Sequence, residues 1–464
     1  MTPKPVVAAV AALWIGMGGC GLHAQTTPAP QAASVPQTIT LPQAVEVALK
    51  NNPTLQAADS YAEAVRRAVA EAKSGYYPHL DFSEGFVRSN NPVFVFSSLL
   101  TQRQFTAEDF TLGSLNFPLP LDNFRTQFSA AMPIYDAGRT SRGVRDARLD
   151  SQGAQRGADR TRQEVIYNVI GAYLNQLLAQ ESVRVAEASV KSTGEDLVRA
   201  KARQSQGQAL LSDVLSAQVQ LAQAQEELIR AQNDAATAQA SLDVAMGLPE
   251  DAAEQAQGPL GDVVFDSGTL ADRQQRALDL RPDYQQVLIG KEKAGIGAAG
   301  ARAQFLPTLN IFSSWEQDNE TFASHGGNNW AAGATLNFNL FDGGARRAQL
   351  AESHARARQA EALRAQMASG IRLQVRQAYL NLAAARQRVD VSRDAASQAE
   401  ESLKILRNRY EAGLVTITDL LSAETAHARA QRDYLNAVYD DRIADATLEL
   451  ATGELNPGSP AVLR

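Results

Sequence analysis

Pro133-Ile-Tyr-Asp-Ala-Gly138 returns as Asn339-Leu-Phe-Asp-Gly-Gly344, and the chain around the first hexapeptide returns around the second. The offset is 206 residues (344 − 138). It is kept by Ala172-Tyr173-Leu174-Asn175 against Ala378-Tyr379-Leu380-Asn381. It is kept again by Gly207 with Asp213-Val-Leu-Ser-Ala217 against Gly413 with Asp419-Leu-Leu-Ser-Ala423, and by Gly247 against Gly453. Upstream, Asn52-Pro53 matches Arg281-Pro282 and Tyr77-Pro78 matches Leu306-Pro307, at an offset of 229 (307 − 78). One length change of 23 residues (229 − 206), between Pro78 and Gly138, accounts for both values. Offsets held across so many landmarks mark an internal duplication.

Each hexapeptide separates two kinds of chain. Downstream, no proline occurs between Ile134 and Leu248 or between Thr308 and Asn456, as long helices require. Gly138 to Gly207 and Gly344 to Gly413 are each 69 residues (207 − 138 and 413 − 344). As helix, that is about 100 Å at 1.5 Å per residue. Ile166, Ile170, Tyr173 and Leu177, like Val375, Tyr379 and Leu382, step by threes and fours, the spacing of a coiled-coil seam. The return arm carries Val214, Leu221 and Leu228 at sevens among Ala217, Ala222, Ala224, Ala231, Ala235 and Ala238. Helices this long with so little apolar surface need partner helices.

Upstream of each hexapeptide the period is two. Phe124, Thr126, Phe128, Ala130, Met132 and Ile134 alternate with polar or small residues, as do Trp330, Ala332, Ala334, Leu336, Phe338 and Leu340. Leu80, Phe82 and Phe86, with Leu309, Ile311 and Trp315, give the paired strands. Such segments suit a barrel wall between lipid and water; a soluble sheet with one wet face gives the same alternation. Four strands leave two bare edges that invite other chains. Eight strands from two subunits would fill their own lumen, whereas twelve from three leave a passage. Asp136 and Asp342 read as capping carboxylates before permissive glycines. The longer first hairpin, Asn90 to Leu121, holds Phe94, Phe96, Phe105, Phe110 and Phe117. It reads equally as a cover for the outer mouth or as a tolerated surface loop.

Of 464 residues, 44% are hydrophobic, and the formal charge of -7 is acidic. Mean hydropathy is -0.26. No basic stripe is present, so nucleic acid is excluded as a partner. Residues 1–24 read as an export signal, with Lys4 before the apolar run Val6 to Ile15 and cleavage after Ala24. Met17-Gly18-Gly19-Cys20 offers a second reading: a lipobox that removes residues 1–19 and acylates Cys20, the one cysteine of the chain. A Pro-rich linker (25–38) leads to the first repeat (39–247), an inter-repeat linker (248–268), the second repeat (269–455) and a tail (456–464).

Gly295-Ile-Gly-Ala-Ala-Gly300 fits a dinucleotide pattern but lies in a helical stretch without the preceding strand that motif needs. The histidines lack ligand spacing and no nucleophile motif appears, so catalysis, a cofactor and a metal site are not expected.

Arg409-Tyr-Glu-Ala-Gly413-Leu-Val-Thr-Ile-Thr-Asp419-Leu-Leu-Ser-Ala423 resembles the helical-hairpin tip of the TolC family of outer-membrane efflux proteins, and Asn339 to Gly344 resembles its strand-to-helix turn. The resemblance runs from about Ile39 to Leu455. It implies a mainly α fold with a membrane β-barrel: a homotrimer pooling four strands per chain into a twelve-stranded barrel, continued by a tunnel of antiparallel coiled-coil helices. It implies an outer-membrane location with the helices in the periplasm. It also implies a periplasmic adaptor docked at the tips and an inner-membrane efflux pump or ABC exporter behind it. Carried over by position, Gly207, Gln208, Ala209, Leu210 and Leu211, with Gly413, Leu414, Val415 and Thr416, form the docking tips. Asp419 and its counterpart Asp213 stand at the pore constriction. A second acid of the family's gate is Ser422 here, so the ring is weaker. Thr416 with Asp419 also reads as a capping box. Two functions compete: a passive outer-membrane conduit, and a non-conducting periplasmic coiled-coil tether.

Overall fold

The computed structural model describes residues 38–261, 268–322 and 324–463. The export signal, Cys20 and most of the Pro-rich linker lie outside the described residues. After β1 (Thr38–Ile39) come α1 (Leu41–Asn51), α2 (Pro53–Ser74) and β2 (His79–Ser89). The outer hairpin carries α3 (Pro92–Thr101), a 3₁₀ turn at Ala107–Phe110 and α4 (Leu112–Asn116). There follow β3 (Leu121–Tyr135), α5 (Arg139–Ser205), α6 (Leu211–Ala245) and β4 (Gln255–Ala256). The second half gives α7 (Leu270–Leu280), α8 (Pro282–Ala303), β5 (Thr308–Asn319), β6 (Gly327–Asn337), α9 (Ala345–Glu411), α10 (Ile417–Thr452) and α11 (Pro460–Leu463).

The two halves match in length as well as in order. α1 and α7 have 11 residues each, α2 and α8 have 22, and α5 and α9 have 67. Asn52-Pro53 and Arg281-Pro282 break the helices because proline cannot continue a preceding turn. Gly247 and Gly453 sit against those breaks with φ of +74° and +75°. A Cβ on Gly247 would lie 2.7 Å from the Asn52 Cα, and one on Gly453 would lie 3.0 Å from the Arg281 Cα. Their recurrence therefore has a steric cause.

β2, β3, β5 and β6 form one antiparallel sheet in that order, so β3 and β5 join the two repeats and β2 and β6 are open edges. The register puts Phe82, Phe128, Trp315 and Trp330 in one row across all four strands. On the same face lie Leu80, Met132, Ile311, Ala334 and Leu336. The opposite face carries Asp81, Ser83, Asn123, Arg125, Gln127, Ser314, Glu316 and Asp318. Phe312 also points there, lying over Gly333. The second alternating run ends at Asn337, so Phe338 and Leu340 belong to the connector.

Asp136 and Asp342 bridge sheet to helix as the sequence suggests. Asp136 accepts from the Gly138 N–H at 2.9 Å and the Thr140 N–H at 2.6 Å. Asp342 accepts from the Gly344 N–H at 3.1 Å and the Arg346 N–H at 3.2 Å. Gly138 and Gly344 take φ of +75° and +91°.

The main core lies midway along the helices. Ile166, Ile170 and Tyr173 of α5 pack on α1 and the end of α6, while Ile371, Val375 and Leu382 of α9 pack on α7, α8 and Leu448. Two expected connectors take part in it. β4, within the inter-repeat linker, pairs in parallel with β1, and Ala461 and Val462 of the expected tail are buried in the core. Towards the tips the packing thins to hairpins, with Ala217, Ala224, Ala231 and Ala238 buried at sevens along α6. The dinucleotide-like glycines sit inside α8.

Candidate functional site: the paired hairpin tips

Both tips are built by one device. After α5, Gly207 takes φ +72°, and the Gln208 N–H donates to the Arg203 carbonyl at 2.9 Å. After α9, Gly413 takes φ +76°, and the Leu414 N–H donates to the Arg409 carbonyl at 2.9 Å. This closure satisfies a last-turn carbonyl and reverses the chain within five residues. It leaves Gln208, Leu210, Leu211, Leu414 and Thr416 exposed, while Ala209 and Val415 are half-buried.

The second hairpin is capped more fully than the first. Asp419 accepts from the Thr416 N–H at 3.0 Å and hydroxyl at 2.7 Å, and its own N–H donates to the Thr416 Oγ1 at 3.3 Å. The Thr416 hydroxyl and N–H hold the Asp419 carboxyl below the usual carboxylate range. At the first tip Leu210 stands in the capping position and offers no side-chain acceptor. Asp213 supplies half a box there, accepting the Leu210 N–H at 3.1 Å. Asp213 and Asp419 thus both start their helices, and Asp419 completes the capping box read in the sequence.

Side chains that the sequence did not single out bind the two hairpins to each other. Arg203 of α5 donates to the Tyr410 carbonyl of α9, and its guanidinium lies over the Tyr410 ring, 4.9 Å from the centroid. Arg199 reaches Glu411 at 3.4 Å. Deeper in, Arg407 of α9 donates to the Ser192 hydroxyl at 2.7 Å, and Ser192 donates to Glu424 of α10 at 2.7 Å. Asp196, wholly buried, accepts from Arg199 at 2.7 Å. Burial, reinforced by the Glu424 carboxylate, pushes Asp196 up to about 6 although Arg199 and Arg407 pull it down. The duplication conceals this network, because the counterparts of Asp196, Arg407 and Tyr410 are Ser402, Lys201 and Gln204.

A second buried charge stripe runs up α10 where it passes the main core. Asp441, Asp445 and Glu449 follow at fours beside Arg442, with Arg386 of α9 reaching Asp441 at 3.8 Å. Burial, helped by Glu449, pushes Asp445 up to about 7. Among the described residues no cluster of acids, histidines or cysteines could hold a metal ion, and no helix is long and apolar enough to cross a membrane.

This combination of a four-stranded sheet, two long hairpins and paired tips is shared with known proteins. The chain is 27% identical to protein CyaE of Bordetella pertussis, over 94% of this chain and 89% of that one. It is 26% identical to the alkaline protease secretion protein AprF of Pseudomonas aeruginosa, over 88% and 83%. Its fold matches the crystal structure of the outer membrane protein VceC of Vibrio cholerae with a TM-score of 0.74 at 20% identity, covering 89% and 96%. Residues 44–248 and 274–454 both match the outer membrane efflux protein family, one match in each repeat. The chain belongs to that family: it is a TolC-like channel protein of the outer membrane whose helical part lies in the periplasm.

Proposed function

We propose that three copies of this chain close into a duct that gives passive exit to cargo delivered by an inner-membrane transporter through a periplasmic adaptor. The observation that carries this is a pair of unpartnered seams. The helices of one chain lie side by side as α6, α5, α10, α9, leaving α6 and α9 at the flanks. α6 exposes Leu215, Val219, Ala222, Ile229, Ala236 and Val244 at steps of threes and fours or their sums. α9 exposes Leu380, Ala384, Val391, Gln398 and Ile405 in the same rhythm. The seams also agree in height. Leu215 and Ile405 are each eight residues from their tip glycine (215 − 207 and 413 − 405), and Ile229 and Val391 are each 22 (229 − 207 and 413 − 391). With the tips level, α6 of one subunit meets α9 of the next as an antiparallel coiled coil.

The free edges above lie on the same flanks. In the sheet they are β2 and β6, and among the upper helices they are α2 and α9. One rotation therefore pairs every open edge, as a closed cyclic assembly requires. Three subunits give twelve strands, enough for an open lumen where eight would fill. The aromatic and aliphatic face then meets lipid and the polar face lines water.

In this assembly the exposed tip residues Leu210, Leu211 and Leu414, with Gly207, Gln208, Ala209, Gly413, Val415 and Thr416, meet the adaptor. Asp213 and Asp419 ring the periplasmic entrance, and the Arg203–Tyr410 and Arg407–Ser192–Glu424 links hold the hairpins together there. The cargo follows the transporter: small molecules in an efflux pump, a polypeptide in a type I secretion system. The name of AprF supports the second. A tether would have no use for four strands with a continuous apolar face. The test is electrophoresis of unheated and heated samples of the detergent-extracted protein, followed by planar-bilayer recording. A heat-sensitive trimer with discrete conductance is expected; a protein released without detergent and silent in bilayers would refute the conduit.

A further inference from the structure

We propose that the long hairpin between β2 and β3 folds inward as a second constriction at the outer mouth of the duct, latched to the polar wall through Gln102, Asn123 and Asp318. This rests on the duct reading above. α3 crosses the ends of β3, β5 and β6 and packs on all three. Immediately after it, Gln102 is only 2% exposed, and its Nε2 donates to the Asn123 Oδ1 and the Asp122 carbonyl, both at 2.8 Å. Asn123 in turn donates to the Asp318 Oδ1 at 2.7 Å, and Arg125 donates to the same oxygen at 2.9 Å. Asn123, Arg125 and Asp318 all stand on the polar face, opposite the row of Phe82, Phe128, Trp315 and Trp330. The hairpin is therefore fastened on the lumen side.

Four further observations distinguish this from a tolerated surface loop. Asn123 is 4% exposed and Asp318 is wholly buried, a burial that polar side chains accept only with partners. Arg103 spans to the far strand, donating to the Asn328 carbonyl at 3.0 Å. Gly327 leaves its Cβ position to the hairpin backbone, since a Cβ there would lie 1.8 Å from the Thr101 oxygen. The hairpin also has its own small core, with Phe105 5.1 Å from Phe96 and 6.2 Å from Phe110, ring to ring. The β5–β6 connection lacks these extra residues, so each subunit contributes one such element and the ring carries three.

Large cargo would push the element aside, whereas small solutes pass around it.

The test places a reporter beneath the constriction. Gln127→Cys puts a thiol on the polar wall, two residues further in than Arg125, in a chain whose one other cysteine is Cys20. Intact cells are treated with a small maleimide or with one carrying a long polyethylene glycol. In the otherwise natural chain the small reagent should label and the large one should not. Gln102→Ala should speed the large reagent about tenfold, the factor expected from losing a buried hydrogen bond. Replacing residues 92–118 by a short Gly-Ser turn should bring the large reagent close to the small one. If the large reagent labels the natural hairpin as fast as the shortened one, the constriction is refuted while the duct stands. If even the small reagent fails with the shortened hairpin, Gln127 does not line an open lumen and the duct reading falls, taking the constriction with it.

Discussion

At the residue scale, charge decides how the tips behave. Asp419 is fully exposed and serves its own helix through Thr416. Because its pKa is lowered on folding, the cap is complete above the ordinary carboxylate range and is lost as pH falls through the lowered value. Asp419→Ala should also thin the entrance ring and raise the conductance of the closed trimer; unchanged planar-bilayer conductance would remove Asp419 from the gate. Asp445 has the opposite sign. Its folded pKa of about 7 lies above the unfolded value, so its contribution is greatest at low pH and is lost as pH rises towards and through 7. Asp445→Asn should therefore raise the unfolding temperature more at pH 8 than at pH 5, by a few degrees, with about 2–4 °C expected per kcal/mol at the size of a large domain. Equal shifts at both pH values would contradict a buried, proton-binding carboxyl. Asp419 was legible because Thr416-x-x-Asp419 is a local pattern. Asp196, Arg407 and Asp445 were not, because their burial comes from helices far away in sequence and their repeat counterparts are different residues.

Elements were easier to read than sites. Hydrophobic period, proline and the paired glycines placed the long helices and four strands, since each signal acts within a few residues of itself. What they left out was structure made by contact: α3 against the sheet, β4 against β1, and Ala461 and Val462 in the core. Two substitutions separate the kinds of packing. Ile371 is fully buried within its own chain, so Ile371→Ala should destabilise the subunit by about 2–5 kcal/mol, read as a lower unfolding midpoint. Leu380 is exposed in the single chain and lies on the α9 seam, so Leu380→Asp should change subunit folding by no more than about 0.5 kcal/mol. The same substitution should nevertheless abolish the heat-sensitive trimer. A trimer that survives it would mean that the seam faces water.

For the whole molecule, equal arms matter more than any one contact. Two helices of 67 residues bring both hairpin tips to one plane, and the tip-to-seam distances then match on the two flanks without adjustment. In the proposed assembly these flanks meet, subunit to subunit, and three subunits close the ring. Leu215 and Ile405 are both exposed, and the equal-height rule places them opposite each other across the boundary. The most direct measurement is oxidative cross-linking of the Leu215→Cys, Ile405→Cys double variant in isolated outer membranes, read on a denaturing gel. Covalent dimer and trimer bands and nothing larger are expected, with neither single variant forming the trimer band. No cross-link, or a ladder that continues past three, would overturn the closed trimer.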